Sequence, residues 1–328
     1  MKILVTGGSG FIGTNLTEFF YQQGWEFQNI DLVPPKLSYL RSYWLEGDIM
    51  EKKWLIETFR SFRPTHVVHL AAETDTDPSK TLENYAVNTI GSENVIQAAE
   101  DARTVSLFIL TSTQFVHQSS APPASDEDFA PHTVYGESKV ISEQKLRSLA
   151  SFSWTIIRPT NIWGPWHLRY PFEFWKILAE GKYFHPGRAR VVRSYGYVGN
   201  VVHQIATLLS SDKSKVSGKV FYVGDEPLDL YDWVNGFCLE QTGRPVRVVS
   251  RPLVRILALV GDVLKAVGFS FPITTSRYVS MTTSNPAPMK RTFEELGNPR
   301  FTLKEGINQT VNWMKIHHPH LVRFKNNG

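Results

Sequence analysis

Tyr135 and Lys139 stand four residues apart in the stretch VYGESK. On a helix, that spacing sets both side chains on one face. A phenol with an ordinary pKa near ~10 is a poor base at neutral pH. A neighbouring ammonium favours its ionised form, and the tyrosinate can then take the proton of a substrate hydroxyl. A Tyr and a Lys at this spacing also occur on helices that carry no chemistry, so the pair gains meaning only from its setting. Upstream, residues 106–111 read as a strand ending in three hydroxyl residues, Thr111, Ser112 and Thr113. One of them can share the hydrogen bond of the same substrate hydroxyl, or all three can simply cap the strand.

A second constellation lies near residue 1. Gly7, Gly10 and Gly13 sit three apart between a β-favouring run, Ile3 to Thr6, and a helical pattern. In that context the first glycine permits a tight turn, the second lets backbone approach a pyrophosphate, and the third lets helix pack closely on strand. The N–H groups at the helix start then face the phosphates, aided by the helix dipole. The next strand ends in Asp31, where a carboxylate meets the adenosine ribose hydroxyls and repels a 2′-phosphate. Together the two features favour NAD over NADP, while Asp31 read alone is also an ordinary strand-end turn residue.

Positioning these groups requires alternating strands and helices. Strands are expected at 2–6, 26–30, 66–70, 106–111, 154–158 and 220–223, and helices at 13–23, 51–62, 82–99, 135–150 and 198–209. Val- and Ile-rich strands separated by helices of that length imply right-handed crossovers and a parallel sheet covered on both faces. The expected class is α/β, a doubly wound parallel sheet. Residues 1–160 form its main part, and 161–328 form a smaller interleaved substrate-binding region, with about 190–225 returning to the sheet. Within that region, helices are expected at 172–180, 230–241 and 303–317, and an irregular loop at 181–193. The most apolar stretch, 253–269, contains Arg255, Asp262 and Lys265 and falls short of a membrane span. It reads as a partly buried helix, with a peripheral membrane contact as the alternative.

Composition narrows the function classes. The 328 residues carry a net charge of +4, too diffuse for nucleic-acid binding. Cys238 is the only cysteine, so neither an intrachain disulfide nor a Cys-based zinc site can form. His185 and His203 lack metal-ligand spacing, and no metal is expected. The run before Gly7 is too short for the apolar segment of a signal peptide, and a cytoplasmic location is the expectation.

The stretch TGGSGFIG resembles the TGxxGxxG fingerprint of the extended short-chain dehydrogenase/reductase superfamily, in its NAD-dependent epimerase/dehydratase branch. The likeness continues through Gly47-Asp48-Ile49, His69-Leu70-Ala71-Ala72, Asn88, the Tyr135–Lys139 segment, Arg158-Pro159-Thr160-Asn161 and Arg193-Ser194-Tyr195. The resemblance implies a Rossmann-like fold and a bound NAD. Phe11 and Ile12 of the fingerprint, Asp48 and Ile49 at the adenine, and Leu70, Ala71 and Ala72 beneath the cofactor belong to its site. So do Thr111 and Pro159, the latter near the nicotinamide carboxamide, and Asn88, which braces the site. Tyr135 and Lys139 carry both the catalytic role and cofactor contacts. The family pattern selects Thr113 as the catalytic hydroxyl, with Ser112 the close second, both facing substrate. Asn161 and Arg193 bond the sugar or diphosphate of a nucleotide-diphosphate sugar, with Arg188 and Arg190 in the same loop. A homodimer through 82–99 and 135–150 is also implied.

Two departures from the family pattern matter. Sugar dehydratases of the family follow the catalytic Thr with Asp-Glu, whereas Gln114-Phe115 stand here, which disfavours elimination of water. His117, in the element Val116-His117-Gln118, replaces the usual Tyr and reads as a packed or exposed histidine. Glu73, Asp75 and Asp77 either read sugar hydroxyls or are solvated. Trp163, Trp166, Phe172 and Trp175 either stack a base or pack a core. The leading expectation is a nucleotide-sugar epimerase, most naturally at C4, through a transient keto-sugar. A keto-sugar reductase or dehydrogenase, a hydroxysteroid-type dehydrogenase, and a catalytically silent cofactor-binding protein are the alternatives.

Overall fold

The structure is a computed structural model and describes residues 1–117, 122–167, 174–269, 271 and 273–322. The chain divides into two compact units. The first comprises Met1–Ile162, Val198–Gly224 and Pro288–Arg300, and the second Trp163–Tyr197, Asp225–Ala287 and Phe301–Gly328.

The first unit is built on strands β1 (Lys2–Thr6), β2 (Glu26–Asp31), β3 (Trp44–Glu46), β4 (His66–His69), β5 (Leu107–Thr111) and β6 (Trp154–Pro159), with a seventh at Lys219–Val223. All seven run parallel, in the order Lys219–Val223, β6, β5, β4, β1, β2, β3. Chain order reverses direction between β1 and β4, so a crevice opens at their C-terminal ends. The helices are α1 (Phe11–Gln22), α2 (Lys52–Phe62), α3 (Ser92–Ala102) and α4 (Val134–Leu149), joined by Val198–Ser210 and Lys290–Leu296. Leu55 and Phe59 of α2 and Val95, Ile96 and Ala99 of α3 pack on Leu4, Val67 and Phe108 of the sheet. Each such apolar side chain contributes about 1.5–3 kcal/mol by leaving water. This is the doubly wound, Rossmann-like class expected from the strand and helix pattern.

Local differences have physical reasons. The segment expected as one helix at 82–99 is a 3-10 turn at Leu82–Tyr85, a wide π turn at Val87–Gly91 and then α3. Thr81 and Asn84 cap the first piece reciprocally. The Asn88 amide bonds outside the helix, to both backbone groups of Glu73. Strand β3 is only three residues long and was not foreseen.

His69 ends β4 with its imidazole buried between two hydroxyls, Thr6 Oγ1 at 2.6 Å from Nδ1 and Ser92 Oγ at 2.9 Å from Nε2. Burial first, and the Lys139 charge second, lower its pKa to about 3. Between that value and the unfolded ~6.5, the unfolded chain binds a proton that the folded protein does not. Stability therefore falls as pH falls through 6.5. The expected loss from this group alone is about 2 kcal/mol between pH 7.5 and pH 5. Urea midpoints at the two pH values check this, and His69→Asn should flatten the dependence.

The second unit has helices Leu230–Thr242, Arg251–Ala266, Thr275–Thr282 and Leu303–His317. Its short strand pairs are Val192–Arg193 with Leu228–Asp229, and Phe184–Pro186 with Arg247–Val249. These pairs give regular backbone to part of 181–193, which reads as an irregular loop in sequence because Gly, Pro and Arg dominate it. Of the helix expected at 172–180, Lys176–Ala179 is α-helical, and Phe172 lies outside the described residues. Trp163, Trp175 and Phe237 are fully buried together, and Trp166 packs on Trp313 and His317. Trp163 and Trp175 are thus core residues.

Candidate active site

The glycine turn is built from close backbone approaches. Gly7 has φ +77° and lies so near β4's end that a Cβ would stand 2.5 Å from the Ala71 nitrogen and 2.8 Å from the Leu70 carbonyl carbon. A Cβ on Gly13 would meet the Gly7 carbonyl oxygen at 2.3 Å, and one on Gly8 would strike the Asn29 amide at 2.3 Å. Two β2 side chains hold the loop. Asn29 Oδ1 accepts from the Gly8 N–H at 2.8 Å, and Asp31 Oδ2 accepts from the Ser9 N–H at 2.9 Å. Asn29 was not singled out from sequence, although its place two residues before Asp31 on the same strand face was a usable signal.

Gly10 differs from its neighbours. A Cβ there meets only the Gly7 carbonyl oxygen, at 3.2 Å, among the described residues. Helix α1 begins at that point with no side-chain cap and no acidic residue in its first turn, which Phe11, Ile12 and Gly13 form. An anion suits such a helix start. Asp31 spends one oxygen on Ser9 and the other on the Val33 N–H at 3.2 Å, and a carboxylate oxygen accepts more than one bond. These features fit a dinucleotide. Gly13→Ala forces the turn to shift against fixed backbone. The expected result is a loss of bound dinucleotide with a destabilisation of about 1–3 kcal/mol, read by nucleotide content after purification and by urea midpoint.

Helix α4 sets the candidate acid–base residues. Thr133 caps it by accepting from the Gly136 N–H at 3.0 Å, which places Tyr135 in the first turn. Gly136 allows that turn to rest on the Gln114–Val116 segment, since a Cβ would stand 2.5 Å from the Phe115 carbonyl oxygen. The Tyr135 phenol then lies beside the Thr113 side chain, whose hydroxyl favours the ionised form. One turn on, Lys139 is buried and donates from Nζ to the Thr111 carbonyl at 2.8 Å. The hydroxyls of Thr111, Ser112 and Thr160 are buried with no hydrogen-bond partner among the described residues. Buried hydroxyls rarely stay unpaired, so those at the end of β5 are candidates for a bond to a ligand.

Electrostatics differs from the expectation in one respect. Burial, not the Lys139 charge, is the leading influence on the Tyr135 phenol, and the Lys139 ammonium donates to the Thr111 carbonyl. Burial pushes Tyr135 up to about 12, with the neighbouring Thr113 hydroxyl acting in the opposite sense. Burial lowers Lys139 to about 8, opposed by the carboxylate of Glu143. A positive charge brought beside the phenol is therefore required before it can ionise near neutral pH.

The inner face of α4 is polar along its length. Ser138 Oγ donates to the Tyr135 carbonyl at 2.7 Å and accepts from Asn88 Nδ2 at 2.9 Å. Ser142 Oγ donates to the Asn88 carbonyl at 2.7 Å. Both amide hydrogens of Asn88 are spent on Ser138 and the Glu73 carbonyl, so its side chain ties α4 to the segment after β4. Glu143, in turn, grips Arg158 of β6 through two bonds of 2.9 and 2.8 Å, both side chains being fully buried. Sequence reasoning missed Glu143, although 135, 138, 139, 142 and 143 form one helical stripe.

The remaining candidates are placed as follows. Asp48 Oδ1 caps the Met50 N–H at 2.8 Å, and buried Ile49 contacts Gly91. Ala72 follows Leu70 and Ala71 in half-buried backbone. Pro159 ends β6, and Asn161 is half-buried just beyond it. His117 is packed, with Nδ1 at 2.7 Å from the Asp128 carbonyl, while Gln118 lies outside the described residues. Lys80 lies 3.6 Å from Glu73 and 3.3 Å from Asp75, and partly neutralises that acidic loop.

Arg193 belongs to the second unit, where its guanidinium donates to the Ser280 carbonyl. In the same unit Arg188 lies over the Tyr231 ring, 3.5 Å from its centroid. This unit also contains a cavity of about 360 Å³ lined by Phe174, Tyr183, Tyr195, Trp233, Arg277 and Met281. Among the described residues, no group of three His, Cys, Asp or Glu side chains could hold a metal ion, and no helix is long and apolar enough to cross a membrane.

A family model described as the NAD dependent epimerase/dehydratase family matches residues 3–224. The chain is 27% identical over 332 residues to the N-acetyl-alpha-D-glucosaminyl-diphospho-ditrans,octacis-undecaprenol 4-epimerase of Escherichia coli O157:H7, covering 96% of each chain. It is 25% identical over 275 residues to a 3 beta-hydroxysteroid dehydrogenase/Delta 5-->4-isomerase of Mycobacterium tuberculosis, covering 77% of this chain and 73% of that one. Among solved structures it is similar to WbmG of Bordetella bronchiseptica in complex with NAD and UDP. That similarity has 25% identity and a TM-score of 0.69, covering 96% of this chain and 94% of the other.

Proposed function

The chain belongs to the NAD-dependent epimerase/dehydratase family, and from that premise we propose that it inverts C4 of a sugar carried on a diphosphate, with Tyr135 as the base. The observation that carries this reading is the trio at the end of β5: a buried phenol beside Thr113, an ammonium one turn away, and buried hydroxyls that have no partner among the described residues. The residues for holding NAD are the glycine turn with the start of α1, Asp31, Ile49, the Leu70–Ala72 backbone, Lys139 and Pro159. Bound NAD supplies the acceptor, and later the donor, of a hydride at the sugar carbon.

The protein's own part is proton management. Tyr135 takes the C4 hydroxyl proton as the carbon becomes a ketone and returns it when the carbonyl is reduced from the other face. Thr113, beside the phenol, shares the hydrogen bond of that oxygen. Lys139 holds positive charge in the buried wall and is available to ribose hydroxyls. Gln114 and Phe115 offer no carboxylate to expel water from the neighbouring carbons, which argues against dehydration. Arg193 and Asn161 keep their assignment to the diphosphate and sugar, and a homodimer of cytoplasmic location remains part of the proposal.

Both a nucleoside diphosphate and a polyprenyl diphosphate present the same chemistry next to the sugar. The first is the direct expectation from sequence, and the undecaprenol-linked substrate named for the Escherichia coli relative favours the second. Purified protein should be incubated, with no added reductant, with UDP-glucose, UDP-N-acetylglucosamine and a polyprenyl-diphospho-N-acetylglucosamine, and the sugar read by NMR. A C4 epimer in one arm supports the proposal and identifies the carrier. If no arm gives an epimer while NADH is consumed with a keto-sugar or a ketosteroid, the protein is a net oxidoreductase.

A further inference from the structure

The second unit has an apolar surface that the described residues leave exposed. Helix Arg251–Ala266 turns Val254 and Ala258 inward onto Ile273, with Phe184, Tyr278 and Met281 packed around them. On a helix at the edge of a water-soluble unit, the opposite face is normally polar. Here it carries Leu253, Ile256, Leu259, Val260 and Val263, which are 46–65% exposed. Val267 and Phe269 extend the strip and are 64% and 67% exposed. Positions 253, 256, 260, 263 and 267 recur at helical spacing, so the strip is continuous along the helix. Exposed side chains of this size in one continuous patch mark an interaction surface.

Charge decides what kind of surface it meets. Between residues 244 and 280 the chain has six cations, Arg244, Arg247, Arg251, Arg255, Lys265 and Arg277, and one carboxylate, Asp262. This segment alone therefore has a net charge of +5, against +4 for the whole chain. All the cations but Arg251 are on exposed residues, and Asp262 is turned to the Thr275 N–H, 3.1 Å away. A second copy of the same face would set like charges against each other. An anionic surface with an apolar interior satisfies both features.

We propose that this face docks on an anionic phospholipid bilayer, with Ile256, Val260 and Val263 at the boundary between headgroups and acyl chains and the basic residues among the phosphates. The helix lies on the bilayer and does not cross it. Docking is independent of the reaction assigned to Tyr135.

The test is co-sedimentation of the full chain with vesicles of phosphatidylglycerol and phosphatidylethanolamine, set against vesicles of phosphatidylcholine alone. Wild-type protein is expected to bind the anionic vesicles and to be released by high salt. Ile256→Glu/Val263→Glu should weaken binding by at least about tenfold, and Arg247→Glu/Arg255→Glu by several-fold. Bound NAD should stay unchanged in both variants, as evidence that they fold. Absence of vesicle binding by the wild type, or equal binding by folded variants, overturns the proposal. So does a wild-type dimer in light scattering that Ile256→Glu/Val263→Glu makes monomeric without any vesicle binding, because the face is then a contact between copies.

Discussion

Tyr135→Phe is expected to lower kcat by about 10³-fold or more, within the range by which a positioned acid–base group contributes, while bound NAD and stability change little. The substitution removes one oxygen and leaves the ring against Tyr85 and Phe115. Thr113 retains its weak bond from the Phe115 N–H at 3.3 Å, so the loop is not left without a partner. Turnover measured by NMR, together with NAD content, separates a chemical loss from a binding loss. Wild-type turnover in this variant would show that Tyr135 is not the base. The pH profile adds a second readout. Burial raises the phenol to about 12 in the protein alone, so the activity of the wild type should climb on the alkaline side as the phenolate is populated. That limb should disappear with the hydroxyl.

The second large effect concerns the buried pair that fixes α4. Arg158 bonds Glu143 twice, the Tyr222 hydroxyl at 3.2 Å and the Asp126 carbonyl at 2.6 Å. Removing Glu143 leaves the Arg158 charge buried and uncompensated, and removing Arg158 leaves Glu143 only Arg147, 4.0 Å away. Stranding a buried charge costs about 3–5 kcal/mol. Glu143→Gln and Arg158→Met should each show a loss of this size in urea unfolding. Arg158→Met/Glu143→Leu removes both charges and should recover most of it. A double variant as unstable as the sum of the singles would show that the lost packing, not the stranded charge, is responsible. The single variants should also lose activity, because Tyr135 and Lys139 lie on the same helix.

Most strands of the first unit were legible as short runs of Val, Ile and Leu, and its helices as longer mixed stretches between them. Strand β3 was not, since Trp44–Glu46 has no run to read and gains its partner only when β2 is in place. Glycine spacing pointed to a turn around phosphate, and the close approaches of Gly7 and Gly13 give it a physical basis. What spacing could not convey is where a side chain aims. Tyr135 and Lys139 do share a face, yet the ammonium donates to the Thr111 carbonyl and burial is the leading influence on the phenol. Glu143 and Arg158 were missed for a related reason. A buried charge looks like a solvated one in sequence until the opposing strand is known. The same holds for 253–269, where composition indicated an apolar helix and only the packing shows which side is left in water.

The most direct measurement is the fate of a deuterium placed on C4 of the substrate sugar, with protein as purified and no added cofactor. Transfer to a tightly held NAD and back requires the label to reappear on C4 of the epimer, with no exchange into water and no net NADH. Loss of the label to solvent, or product formed only as external NAD(P)H is consumed, would contradict epimerisation by hydride return at Tyr135.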